Sequence, residues 1–80
     1  MKIEVKIFQN KAELAYEEGG KRVTEDFEFE YFADAFLTKL DDILGQQASK
    51  KLVKLDVVCT DEASQLSCRA AKAIKQGLGV

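Results

Sequence analysis

From Lys2 to Tyr31, apolar and charged side chains take turns along the chain. Ile3, Val5 and Ile7 alternate with Lys2, Glu4 and Lys6, and Ala12, Leu14 and Tyr16 alternate with Glu13, Ala15 and Glu17. Successive side chains of a strand point to opposite faces, so this pattern builds strands with one dry and one wet face and fits no helix. Gln9-Asn10-Lys11 is a polar turn between the two strands. Gly19-Gly20 marks a tight hairpin, because glycine accepts the positive φ angles of the primed turns. Val23, Phe27, Phe29 and Tyr31 then mark a third strand, with Arg22, Thr24, Asp26, Glu28 and Glu30 on its other face.

The period changes near residue 31. Phe32, Phe36, Leu40, Ile43 and Leu44 recur at spacings of four and three, the stripe of an amphipathic helix. Asp34 falls in its first turn, where a carboxylate suits the positive end of the helix dipole, and Gly45 is a natural stop. After the polar stretch 46–51, Val53, Leu55, Val57 and Cys59 alternate with Lys54, Asp56 and Thr60, predicting a fourth strand. Thr60-Asp61-Glu62 reads as the start of a second helix, with Ala63, Leu66, Ala70, Ala73 and Ile74 as its inner stripe. Each strand has one apolar face, so both helices are expected on the same side. The predicted architecture is α+β: a two-layer sandwich of order β-β-β-α-β-α with a mixed four-stranded sheet. At 80 residues the chain makes one domain, 1–80, with no room for a second.

Composition excludes much chemistry. There is no histidine. That removes the usual neutral-pH general base, the commonest zinc ligand and any triad that relays a proton through imidazole. Gly19-Gly20 is no phosphate loop, and the acidic residues are dispersed along two strands, so no catalytic, metal or cofactor site is expected. Cys59 ends a strand, and Cys68 lies two turns into a helix that begins at Thr60, on the side turned away from the centre of its predicted inner stripe. Bridged α-carbons must lie within about 7 Å, so two reduced thiols are expected, as in a cytoplasmic protein. The alternating N-terminal segment has no uninterrupted apolar core of the secretory kind, and no apolar run approaches the about 18 residues that span a bilayer, so no membrane partner is expected.

Two short segments resemble the opening of the ribonuclease H-like fold. Val5-Lys6-Ile7-Phe8-Gln9-Asn10 is similar to the family's first strand, and Val57-Val58-Cys59-Thr60-Asp61 looks like its fourth, which ends in an aspartate and opens a helix. The resemblance implies a metal-dependent site at those positions. Asp61 matches the aspartate of the fourth strand and Asp34 is a loose match for the helix carboxylate, but Asn10 stands where the first strand carries an aspartate. A neutral amide is a poor substitute for an anionic ligand. The later strand and helix of the family have no counterpart, so the resemblance implies a truncated, non-catalytic scaffold.

Two binding functions are then in view. Residues 1–44 carry 6 basic and 11 acidic side chains, a balance of −5, whereas residues 45–80 carry 6 basic and 3 acidic, a balance of +3. The fourth strand is apolar on both faces near its ends, with Leu52 and Val58 opposite the core series. Around Leu52, Lys54 and Val58 it reads as a sheet edge that binds a protein partner or a second copy. The alternative is an accessory nucleic-acid binder using Lys50, Lys51, Lys54, Arg69, Lys72 and Lys75 to follow phosphates. No aromatic side chain interleaves with those cations to stack a base, and the pI of about 5.1 is acidic, so protein binding is the leading expectation.

Overall fold

The computed structural model describes residues 2–45 and 54–79. Its elements are β1 (Lys2–Ile7), β2 (Lys11–Glu18), β3 (Lys21–Glu28), α1 (Phe32–Gly45), β4 (Lys54–Cys59) and α2 (Gln65–Leu78). The four strands form one sheet in the order β3-β2-β1-β4. β2 pairs antiparallel with both β1 and β3, and β4 pairs parallel with β1, placing Val5 beside Val57 and Ile7 beside Cys59. This is the expected mixed α+β sandwich.

The alternation sorts the sheet as the sequence requires. Ile3, Val5, Ile7, Ala12, Leu14, Tyr16 and Leu55 are buried on the inner face. Phe32, Phe36, Leu40 and Ile43 of α1 close over them, and Ala71 of α2 completes the cluster. The hairpin between β2 and β3 turns on Gly19 (φ 58°) and Gly20 (φ 81°), the left-handed region that most residues avoid.

β3 is shorter than its apolar pattern predicts. It stops at Glu28, and the Phe29 N–H makes one further bond to the Asn10 carbonyl. Phe29 then packs edge-on to Phe32, with ring centroids 5.2 Å apart, and Phe32 stacks on Phe36 at 5.0 Å. This aromatic cluster draws the chain off the sheet and into α1, leaving Tyr31 71% exposed. On the inner face of β3, Glu25 sits between Val23 and Phe27 in the alternation, and the Lys39 ammonium of α1 covers it at 3.7 Å.

α2 starts later and presents a different face than its sequence predicts. The Thr60 hydroxyl does not cap a helix but donates to the Ile7 carbonyl, at 2.6 Å, alongside the Thr60 N–H. The chain turns through Ala63, and Ser64 is the N-cap, its Oγ accepting from the Ser67 N–H at 3.1 Å. The Ser64 hydroxyl also donates to the Ser67 Oγ, so the buried Ser67 side chain is satisfied. The packed residues are therefore Ser67, Ala70, Ala71 and Ile74, while Leu66 is 81% exposed and Ala73 is exposed.

Candidate functional site

That change of phase corrects the reading of the cysteines. Cys68 lies in the first turn of α2, not two turns in, and its N–H bonds to the Ser64 carbonyl. The inner stripe has turned toward it, and Cys68 meets the end of β4. Cys59 and Cys68 are joined by a disulfide, with α-carbons 6.1 Å apart. That spacing is within the range bridged pairs occupy. The expectation of two reduced thiols fails because it took Leu66 and Ala73 for the packed face and began the helix at Thr60, which carried Cys68 away from the end of β4.

The bridge lies on the edge strand, where the interaction candidates also fall. With the order β3-β2-β1-β4, β1 alone flanks β4 among the described residues. The Thr60 N–H points to β1, so by strand alternation the main-chain groups of Leu55, Val57 and Cys59 face the opposite, free side. Leu55 is fully buried and Val57 half-buried on the inner face. Val58, beside Lys6 on the face away from the helices, is 39% exposed. Lys54 shares that open face and lies 3.7 Å from Asp56. Leu52, Lys50 and Lys51 fall outside the described residues.

The open face of the sheet is a mixed-charge surface. Lys6 stands opposite Glu13, which stands opposite Asp26, and the Lys11 ammonium reaches Asp26 at 3.5 Å. Ala15, the small residue in the middle, floors a shallow depression walled by Lys2, Glu4, Glu17, Arg22 and Asp56. The acids of β2 and β3 are thus interleaved with cations from β1 (Lys2 and Lys6), β2 (Lys11) and β3 (Arg22). Strand order creates that neighbourhood, and no single strand's sequence carries a signal for it.

The basic candidates divide between two faces. Arg69 and Lys72 lie on the outward side of α2, a helix without an acidic residue, and Lys75 is half-buried at its flank, whereas Lys54 is on the opposite, open side of the sheet. The four basic candidates among the described residues therefore do not form one phosphate-following surface. Asn10, Asp34 and Asp61 all fall toward the end of the sheet where β1 and β4 finish. Among the described residues, no three acidic or thiol side chains come together closely enough to hold a metal ion.

On the α1 side, Tyr16 is an inner-face residue with an ionisable group at the rim of the core, near Glu25. Burial raises its phenol above the ordinary value, with the carboxylates of Glu25 and then Glu18 adding to the effect. Among the described residues, no helix is long and apolar enough to cross a membrane. No family model, curated protein or solved structure matches the chain.

Proposed function

We propose that this chain is a small non-catalytic protein-interaction module that takes a protein partner, or a second copy of itself, along β4. The observation that carries the reading is the position of β4 at the edge of the sheet, with Val58 39% exposed on the open face and, among the described residues, no strand paired along its outer side. An unpaired edge is a template for a further strand, and its main-chain hydrogen bonds supply affinity while alternate side chains supply selectivity. The absence of histidine and the interleaving of acids with cations support a non-catalytic role. In this reading the likeness to a ribonuclease H-like fold is one of scaffold alone.

We place the protein in the cytoplasm. A continuous apolar core spans both layers without help from the cross-link, so the disulfide need not serve as a permanent framework of the kind small secreted domains use. A cytoplasmic bridge is then one that forms and breaks.

The second reading, nucleic-acid binding, is favoured by one observation, that every charged residue of α2 is basic, with Arg69 and Lys72 exposed. Salt separates the two. Phosphate contacts weaken steeply with ionic strength, and apolar edge pairing does not. The test is sedimentation of wild-type and Val58→Lys protein over a range of concentration and salt, with capture from lysate treated or untreated with nuclease. A salt-insensitive complex that Val58→Lys weakens, with wild-type melting retained, supports edge pairing. A monomer with no recovered partner, or association that Val58→Lys leaves unchanged, defeats it.

A further inference from the structure

We propose that the Cys59–Cys68 disulfide is a reversible thiol–disulfide exchange site, and that its reduction by a dithiol releases α2 from the sheet while the rest of the fold stays closed. The inference is independent of what β4 binds. It stands on the placement of the two sulfurs and on how little else holds α2.

Cys59 is exposed at the end of the edge strand, and Cys68 is half-buried in the first turn of α2. An incoming thiolate therefore reaches the Cys59 sulfur more readily. Attack there forms a mixed disulfide between the reductant and Cys59 and expels the Cys68 sulfur as thiolate. That leaving group is favoured, because Cys68 lies at the positive end of the α2 dipole and a stabilised thiolate leaves faster. α2 has no acidic residue in its first turn to oppose this, and Arg69 and Lys72 follow closely. The second thiol of the reductant then attacks its own bridged sulfur and frees Cys59. Two electrons and two protons pass to the protein, and the reductant leaves as its disulfide.

The consequence follows from the packing of α2. Its fully buried side chains are Ser67 and Ala71, two of the smallest available, with Ala70 and Ile74 only half-buried. Its larger apolar residues, Leu66 and Leu78, are 81% and 45% exposed. The side-chain hydrogen bonds of Ser64 and Ser67 are local to the cap, and among the described residues no ion pair ties α2 to another element. α1, by contrast, is anchored by Phe32, Phe36, Leu40 and Ile43. Little apolar surface therefore opposes the opening of α2 once the covalent link is cut, and local opening goes first where buried contacts are few.

The experiment uses the full chain, oxidised with glutathione disulfide and then treated with dithiothreitol without denaturant. Intact mass follows the two hydrogens, and hydrogen exchange follows each segment. Reduction should proceed under native conditions and speed exchange across α2 roughly tenfold or more, while β1, β2 and α1 keep their protection. The Cys59→Ser/Cys68→Ser double variant should show the fast α2 exchange from the start and ignore dithiothreitol. Four results would overturn the proposal: failure to oxidise, a bridge reducible only in denaturant, a reduced protein whose α2 exchanges as before, or loss of protection through the whole sheet.

Discussion

Leu66 and Ala71 provide a sharp test of how α2 meets the sheet. By hydrophobic spacing Leu66 is an inner residue, and truncating a buried leucine to alanine costs about 2–5 kcal/mol. In the structure Leu66 is 81% exposed, so Leu66→Ala removes almost no packing. A surface change of this kind stays within about 0.5 kcal/mol, and alanine is the better helix former. Ala71 is the reverse case. It is 0% exposed where α2 closes on the core, and Ala71→Leu forces extra carbons into filled space, an overpacking that costs about 1–3 kcal/mol. A domain of this length has roughly 4–12 kcal/mol of stability in total, so both variants should still fold. Urea titrations with the bridge intact, read at constant slope, measure both losses, and the second should lower Tm by about 4–8 °C per kcal/mol. If Leu66→Ala loses more than about 2 kcal/mol and Ala71→Leu is neutral, α2 packs by the face its spacing predicts. The assigned contact between Cys68 and Cys59 would then fall with it.

Two further outcomes follow from the sheet. Gly20→Ala, at φ 81°, should cost about 1–2 kcal/mol in the same titration, whereas Gly19→Asn should be near neutral because asparagine tolerates the first position of this turn; equal losses would mean another turn geometry. The folded state favours the neutral Tyr16 phenol, so the unfolded chain ionises first, and stability should be complete below the ordinary tyrosine range and fall as pH climbs through it. Tyr16→Phe should make that alkaline decline shallower, and an identical decline in both proteins would refute the assignment.

Local pattern determined most of the architecture. Alternation in β1 and β2 needs no partner to be legible, because the side-chain period of a strand is set by its own backbone. The stripe through Phe32, Phe36, Leu40 and Ile43 is equally self-contained, and all four residues are buried. Three matters lay beyond local pattern. Strand order was one: which strand flanks β4, and so which cations fall among the acids of β2, depends on contacts between distant segments. The end of β3 was another, since Phe29 follows the alternation yet is claimed by the rings of α1. The face of α2 was the third. Its small residues give a weak periodic signal, and the competition between Thr60 and Ser64 for the cap was settled by a carbonyl on β1, fifty-three residues from Thr60 along the chain. Once Ile7 takes the Thr60 hydroxyl, the helix begins at Ser64, its phase shifts, and Cys68 comes to rest against Cys59.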